Sequence, residues 1–273
     1  MSDDDAAFAL LSRQITTASG FALEAYKDKC IRRRIAVRMR ACGVHTYEDY
    51  GALLAGSPQE YERLRDALTI NVTRFYRNAE TWSLVRRVVL PELLGNRRGE
   101  LRAWSAGCAS GEEPYTLVVL AADYLDRENR GDELARVTVD ATDIDRVSLE
   151  RARAGCYRSE GLAELPADLA ERYFEATGPC RRVVERARRR VTVRHLDLSA
   201  EPPPRLEYDL ILCRNVVIYF ARAVQERVFQ TFAGALAPGG FLVLGKVETL
   251  FGPARDRLIL VDPRERIYRR SSS

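Results

Sequence analysis

The feature that most constrains the fold of this chain is an apolar strand that runs through a small-residue loop into a helix, at residues 101–115. The sequence there is L-R-A-W-S-A-G-C-A-S-G-E-E-P-Y. Gly107 and Gly111 permit positive φ and a close approach of backbone to a ligand, because neither carries a Cβ. Pro114 fits a first helical turn, where its missing N–H is not needed. The order strand, tight loop, helix indicates a turn that can hold a nucleotide-like cofactor.

The loop lacks the spacing of a phosphate-binding turn. It has neither G-x-G-x-x-G nor a terminal G-K-[ST], and its helix opens with Glu112 and Glu113, which would repel a pyrophosphate. This acidic pair suits a ligand with hydroxyls or a positive centre, such as the ribose and sulfonium of S-adenosylmethionine. An ordinary βα turn with solvated glutamates would show the same pattern, so the loop alone leaves both interpretations open.

The rest of the chain predicts two kinds of architecture. From about residue 8 to residue 94, apolar side chains recur at helical spacing, and we expect helices over residues 27–40, 47–54 and 59–68. From residue 101 strands and helices alternate, which favours a mostly parallel sheet covered by helices. The expected strands are 101–105, 136–141, 191–196, 208–213, 240–245, 258–261 and 267–269, and the expected helices are 113–127, 147–154 and 222–236.

These patterns set the predicted domains. A helical N-terminal domain covers residues 1–82, a linker helix region covers 83–98, and an α/β domain covers 99–273. Between about 157 and 192 the alternation breaks down, so we expect an inserted subdomain there.

Composition indicates in which compartment the protein is expected and whether it is expected to bind a metal. No apolar run is long enough to span a bilayer, and the N-terminus is acidic where a secretory signal would be basic, so we expect a cytoplasmic protein. The six cysteines contain no C-x-x-C pair and only two histidines accompany them, so we predict reduced structural thiols and no metal site. The net charge of +4 hides basic clusters at 27–40 and 181–190, which bear on partners.

Polar side chains follow two further predicted strands. Asp143 and Asp145 come after the second strand, where a carboxylate can accept hydrogen bonds from both hydroxyls of a ribose. For Asp145 we prefer the role of a helix N-cap. Arg214, Asn215 and Tyr219 come after the fourth strand, between apolar neighbours that give them no packing role. We therefore expect them to line a site at the carboxyl edge of the sheet.

Together these segments resemble the CheR type of chemotaxis-receptor glutamate methyltransferases, from about residue 12 to residue 270. The resemblance rests on five motifs: N-V-T-R-F-Y-R at 71–77, S-A-G-C-A-S-G-E-E-P-Y at 105–115, A-T-D-I-D at 141–145, R-Y-F at 172–174 and C-R-N-V-V-I-Y-F at 213–220. It implies an α/β fold, a Rossmann-like S-adenosylmethionine-dependent methyltransferase domain with an all-helical N-terminal domain and a small inserted β-subdomain.

The resemblance also implies site residues. Arg77 and Tyr219 are the candidates for orienting the substrate carboxylate. Because residues 71–77 fall in the predicted N-terminal domain, the domain junction is expected to close over the methyl donor. Arg34, Arg38 and Arg40 match positions that contact the receptor, although a solvated helix face would look the same. The residues that match cofactor contacts are Asn71, Thr73, Arg77, Glu113, Asp143, Asp197, Leu198, Arg214 and Asn215.

The implied activity is transfer of the sulfonium methyl group to glutamate γ-carboxylates in the cytoplasmic helical domain of chemoreceptors. It gives methyl esters for sensory adaptation and S-adenosylhomocysteine as the product. Two other functions stay open: a nucleic-acid methyltransferase, which the arginine clusters favour and the scarcity of interleaved aromatic residues disfavours, and a non-catalytic module that binds S-adenosylmethionine and a partner. We expect no nucleic-acid partner and no membrane insertion.

Two positions depart from the family pattern. Family members that tether to a receptor's C-terminal pentapeptide carry a longer glycine-containing loop in the β-subdomain than T-G-P-C-R-R-V-V at 177–184. We therefore expect no dependence on that tether. Lys246 stands where the family often has histidine, and no role is transferred to it.

Overall fold

The computed structural model describes residues 3–69, 71–95 and 99–271. They form two compact units, Met1–Ile70 with Tyr219–Gln225, and Asn71–Ile218 with Glu226–Ser273. The division falls after residue 70, whereas the sequence placed the end of the helical domain at residue 82. Within the described ranges, no helix is both long and apolar enough to cross a bilayer.

The first unit is helical because its apolar residues share helix faces. In the second helix, Ile31, Ile35 and Met39 recur at every fourth position and are buried, and Gly43 ends the helix with a φ of +71°. The segment Tyr219–Gln225 joins this unit through main-chain hydrogen bonds, since the N–H of Lys27 donates to the carbonyl of Tyr219 at 2.8 Å. The helices are α1 (Asp3–Ser19), α2 (Asp28–Cys42), α3 (Tyr47–Gly56) and α4 (Pro58–Leu68).

The second unit contains all the strands of the structure as described, together with its remaining helices. The strands are β1 (Leu101–Ala106), β2 (Val137–Asp143), β3 (Cys156–Tyr157), β4 (Phe174–Thr177), β5 (Cys180–Val183), β6 (Val191–His195), β7 (Tyr208–Cys213), β8 (Leu236–Leu244), β9 (Leu258–Asp262) and β10 (Ile267–Arg270). The helices are α5 (Ala79–Leu84), α6 (Leu90–Leu94), α7 (Glu112–Arg127), α8 (Arg146–Ala154), α9 (Ala167–Tyr173), α10 (Glu185–Arg188) and α11 (Arg222–Ala235), of which α11 begins in the first unit and continues in the second from Glu226.

Seven strands form one sheet in the order β6-β2-β1-β7-β8-β10-β9. All pairs are parallel except those of β10, which runs antiparallel to β8 and β9. Every residue of β7 is buried, as expected for a strand with layers on both faces. The predicted strands are therefore confirmed, with ends that differ by one to four residues at most positions.

Strand β8 begins earlier than predicted. The sequence predicted a strand over 240–245, but Leu236 already pairs with Tyr208. The register then shifts before Leu210 pairs with Phe241, so the extra residues form a bulge inside the strand.

A separate three-stranded sheet, β3-β5-β4, occupies the expected insertion. Cys156 and Cys180 form a disulfide across it, with their Cα atoms 5.8 Å apart. The prediction that all six cysteines are reduced is therefore wrong. The two residues stand 24 positions apart in sequence, and only the antiparallel pairing of β3 with β5 brings them together. Cys30, Cys42, Cys108 and Cys213 are free thiols.

Candidate functional site

The candidate site lies at the carboxyl edge of the parallel strands. Strands β1, β2 and β7 are neighbours in register, so the loops that follow Ala106, Asp143 and Cys213 leave the sheet on the same side. Strand β6 pairs with β2 in parallel, so the segment that contains Asp197 and Leu198 leaves on this side too. The topology thus brings four of the predicted segments to one edge.

The loop after β1 needs both of its glycines. Gly107 has a φ of +85°, and a Cβ there would collide with the side chain of Val216. Gly111 has a φ of +97°, and a Cβ there would lie 2.8 Å from the hydroxyl oxygen of Tyr157. That hydroxyl donates to the carbonyl of Ser110 at 2.8 Å, so the inserted subdomain holds the loop. The sequence did not identify Tyr157 as a site residue. Tyr157 lies in β3 of the small sheet, and only the folded chain brings it to the loop after β1.

Asp143 at the end of β2 and Asp145 just after it have different roles. Asp143 is half-buried, and its two oxygens accept the N–H groups of Ala109 at 2.8 Å and Asp145 at 2.9 Å. Burial raises the pKa of Asp143, although these N–H groups act in the opposite direction. Asp145 accepts from Val147 and Ser148 and caps α8, so the predicted N-cap is confirmed. Asp143 thus ties β2 to the glycine loop.

Glu113 and Arg214 form a buried pair behind the loop. One carboxylate oxygen of Glu113 accepts the hydroxyl of Ser105 at 2.9 Å, and the other lies 3.5 Å from Nη1 of Arg214. Their side chains are 12% and 3% exposed, respectively. Burial raises the pKa of Glu113 and lowers that of Arg214, while their mutual attraction opposes both shifts. Glu113 is therefore an acceptor in a site that water reaches poorly.

Arg214 also connects the β7 turn to the segment 71–78. Its Nη2 donates to the carbonyl of Arg77 at 2.6 Å and to Oδ1 of Asn78 at 3.0 Å, and its guanidinium lies 5.3 Å from the ring centroid of Trp82. Its Nε is buried and has no hydrogen-bond partner within the described part of the chain. The sequence predicted a ligand contact for Arg214, but its Nη2 serves this connection and its Nη1 faces Glu113.

The segment that begins at Asn71 belongs to the second unit, whereas the sequence assigned it to the first domain. The side-chain amide of Asn71 donates to Asp145, and Nη1 of Arg77 donates to the carbonyl of Val72 at 2.8 Å. Thr73 hydrogen-bonds to Glu112. Asn71, Thr73 and Arg77 are thus in the same unit as Glu113, Asp143 and Arg214.

Asn215 has the backbone conformation of a sharp turn, with a φ of +61°. Its Oδ1 is buried without a hydrogen-bond partner among the residues that the structure describes. A buried acceptor of this kind carries an energetic penalty unless a ligand or water satisfies it. The turn after β7 therefore offers an unpaired acceptor on Asn215 and an unpaired donor on Arg214.

Two predicted site residues, Asp197 and Tyr219, accept hydrogen bonds from other residues of the protein. Oδ1 of Asp197 accepts the N–H and the hydroxyl of Ser199, at 2.8 and 2.6 Å, while Leu198 follows it in the same loop. Tyr219 belongs to the first unit, where its carbonyl accepts from Lys27.

The predicted basic face of α2 is divided between internal and exposed arginines. Arg38 forms a forked pair with Glu60, at 2.9 and 2.7 Å, and the hydroxyl of Tyr50 donates to the same carboxylate at 2.8 Å. Arg34 donates to the carbonyl of Ala67, whereas Arg40 is exposed. Two of the three arginines therefore hold α2 against α4, a role that their helical spacing did not reveal.

Comparisons with known proteins cover both units. Residues 71–266 match the family model described as CheR methyltransferase, SAM binding domain, and residues 6–69 match CheR methyltransferase, all-alpha domain. The chain is 36% identical over 262 residues to a chemotaxis protein methyltransferase of Klebsiella aerogenes, covering 92% of this chain and 86% of that protein. It is 34% identical over 257 residues to chemotaxis protein methyltransferase 1 of Pseudomonas aeruginosa, covering 92% of each. It is 35% identical over 254 residues to a chemotaxis protein methyltransferase of Escherichia coli, covering 89% and 84%.

Proposed function

The chain belongs to the CheR methyltransferase family and uses S-adenosylmethionine, and from this premise we propose that it esterifies glutamate side chains of chemoreceptors. The observation that carries the proposal is the similarity to chemotaxis protein methyltransferases over 92% of the chain, which includes both units.

The residues at the sheet edge fit this cofactor. Glu113 and Asp143 are partly buried acceptors, which suit ribose hydroxyls and a positively charged centre better than a phosphate. Oδ1 of Asn215 and Nε of Arg214 are buried polar atoms for which the described residues provide no partner. When bound, S-adenosylmethionine supplies a methyl group activated by its sulfonium. We propose that Asn71, Thr73, Asp197 and Leu198 complete the site.

We propose that orientation, not proton transfer, is the chain's main contribution to the reaction. A glutamate side chain is already ionised near neutral pH, so its oxygen can form the new O–C bond as the C–S bond breaks, without a general base. Arg77 and Tyr219 would orient this carboxylate toward the methyl carbon. Nη1 of Arg77 is held by Val72, which leaves the rest of the guanidinium to present N–H donors to a carboxylate. Water exclusion around the pair of Glu113 and Arg214 would favour the charge-neutralising transfer.

The exposed cations of α2 support an acidic partner. Lys29, Arg33 and Arg40 are exposed on the face that also presents Val37, which is 49% exposed. We propose that this face, which we call the Arg33 face, docks the acidic helices of a receptor's cytoplasmic domain. Arg38 would contribute indirectly, because its pair with Glu60 holds α2 against α4. The proposed location of the enzyme is the cytoplasm, where such a domain would lie.

We propose that docking is independent of a receptor pentapeptide. Thr177 pairs with Cys180, so only two residues form the turn between β4 and β5, and no extended loop is present there. Calorimetry with a peptide that ends in the receptor pentapeptide is expected to show no binding. Saturable binding would contradict this part of the proposal.

The function is tested by incubation with methyl-labelled S-adenosylmethionine and candidate cytoplasmic receptor domains. We expect label on the receptor that mild alkali releases, because a glutamate methyl ester hydrolyses and a methylated amine does not. Mass spectrometry of receptor peptides should place the added methyl on glutamate. Label that resists alkali, or label transferred to added RNA or DNA instead of receptor, would overturn the proposal.

A further inference from the structure

A buried glutamate holds the turn that follows β7. The carboxylate of Glu248 accepts backbone N–H groups from Asn215 at 2.9 Å, Val216 at 2.8 Å and Ile218 at 3.4 Å, and a fourth from Gly245. The residue is 2% exposed. A carboxylate has about four lone-pair directions, so its acceptor capacity is filled by main-chain donors of two segments.

These donors belong to the residues that shape the candidate site. Asn215 has a left-handed backbone, with a φ of +61°, which asparagine tolerates better than most non-glycine residues but which the surrounding hydrogen bonds must still hold. The hydrogen bond from its N–H to Glu248 is one such constraint. The same turn carries Arg214 and the buried, unpartnered Oδ1 of Asn215.

Close packing at Gly245 limits where this turn can go. A Cβ at Gly245 would lie 2.8 Å from the backbone nitrogen of Asn215, 2.9 Å from its Nδ2 and 2.7 Å from Oε2 of Glu248. The end of β8 and the turn after β7 therefore touch through main chain, and Glu248 supplies the acceptors that both need.

We propose that Glu248 is a positioning residue, whose ionised carboxylate fixes the left-handed turn at Asn215 and so aims the Asn215 amide at the cofactor. The inference rests on the proposed cofactor site and adds to it a residue that does not touch the cofactor itself. Within the described ranges Glu248 forms no ion pair at contact distance, so oriented N–H dipoles, together with the longer-range attraction of the Arg214 guanidinium, balance its negative charge. An uncharged side chain of the same shape cannot replace it, because an amide would point its own N–H groups at these donors.

The test compares Glu248→Gln with a matched control, Asp209→Asn. Asp209 is also 2% exposed and also accepts a backbone N–H, from Arg102 at 2.8 Å, but it lies at the opposite end of β7. Calorimetry with S-adenosylhomocysteine measures affinity without turnover. We expect Glu248→Gln to weaken binding by about tenfold or more and Asp209→Asn to leave it within about twofold.

A second readout separates positioning from general stability. Amide hydrogen exchange in the free protein should accelerate across residues 214–218 in Glu248→Gln and stay unchanged there in Asp209→Asn. Glu248→Asp keeps the charge on a shorter side chain, so it should recover part of the affinity and of the protection.

The possible outcomes distinguish an error in the proposed cofactor site from an error in the proposed role of Glu248. If the unmodified protein does not bind S-adenosylhomocysteine, the cofactor site itself is wrong. If the unmodified protein binds and Glu248→Gln binds equally well with unchanged exchange at 214–218, the role of Glu248 is wrong. If Glu248→Gln does not fold, Glu248→Asp decides: affinity equal to that of the unmodified protein overturns the inference, and weaker affinity in a folded protein supports it.

Discussion

Replacing Arg38 with alanine should destabilise the helical unit more than it alters any surface. The side chain of Glu60 is 4% exposed and that of Arg38 is 19% exposed, so the pair is largely removed from water. Without the guanidinium, the carboxylate keeps the hydroxyl of Tyr50 and loses two charge-assisted hydrogen bonds. Breaking a buried pair by removing one partner costs about 3 kcal/mol or more. We take about 3 kcal/mol as the expected loss, because water can partly reach the Arg38 position.

The expected pH dependence of this loss follows from Glu60. Burial raises the pKa of Glu60, but the hydrogen bonds from Arg38 and Tyr50 outweigh burial and lower it overall. A lowered folded-state pKa contributes stability above the unfolded value of about 4.3, and this stability is lost as pH falls through the lower folded value. The difference between the unmodified protein and Arg38→Ala should therefore be full at pH 7 and shrink in acid.

Hydrogen exchange followed by mass spectrometry measures this effect within the unit concerned. A loss of about 3 kcal/mol corresponds to roughly 100-fold faster exchange of the most protected amides of α2 and α4. Arg33→Ala is the matched control on the same helix, since Arg33 is exposed, and should change stability by less than about 0.5 kcal/mol. The double variant Arg38→Ala, Glu60→Gln should lose less than the sum of the single variants.

The same variants separate folding from docking. Arg33→Ala should slow receptor methylation in a salt-dependent way at unchanged stability, because exposed charges act through screened attraction. Arg38→Ala should slow receptor methylation only in proportion to the fraction of molecules whose helical unit is unfolded. Equal exchange rates in Arg38→Ala and the unmodified protein would refute the structural role of Arg38 and would favour a direct contact of Arg38 with the receptor.

Three further predictions concern the second unit. Arg77→Ala should lower kcat/KM for receptor by about 100-fold with an unchanged circular dichroism spectrum, and near-normal methylation would remove Arg77 from the mechanism. Gly107→Ala should both lower the urea midpoint and weaken S-adenosylhomocysteine binding, because a Cβ meets Val216 in a backbone conformation disfavoured for alanine; normal affinity would contradict the assigned loop geometry. Cys180→Ser should destabilise this unit by about 3 kcal/mol, given a bridge over 24 residues, as followed by the fluorescence of its tryptophans, while Cys42→Ser should have little effect.

Local pattern accounts for what the sequence predicted well. The burial periodicity of α2 and the apolar run of β7 depend on residues near each other in the chain, and so does the cap formed by Asp145. The order of parallel strands then brings their carboxyl ends to one edge, so the candidate site could be located before any side chain was placed.

What the sequence missed depends on partners far apart in the chain. Glu60 lies 22 positions from Arg38, and Glu248 lies 33 positions from Asn215. Helical spacing shows that a face is basic, but it does not show whether a given arginine meets solvent or a buried carboxylate. The disulfide between Cys156 and Cys180 has the same origin, because strand pairing and not spacing brings the two sulfurs together.

Arg214 shows why the choice of variant matters for this site. Its Nη2 binds the carbonyl of Arg77 and Oδ1 of Asn78, so Arg214→Ala would release the segment that carries Arg77 as well as remove any ligand contact. Loss of activity in that variant would not tell the two effects apart. Arg77→Ala removes only a side chain and keeps the carbonyl that Arg214 needs, while the hydrogen bond of that side chain to Val72 is exposed. A loss of turnover in Arg77→Ala with unchanged affinity for S-adenosylhomocysteine would therefore assign its guanidinium to the substrate carboxylate, whereas a parallel loss of both would assign it to the cofactor.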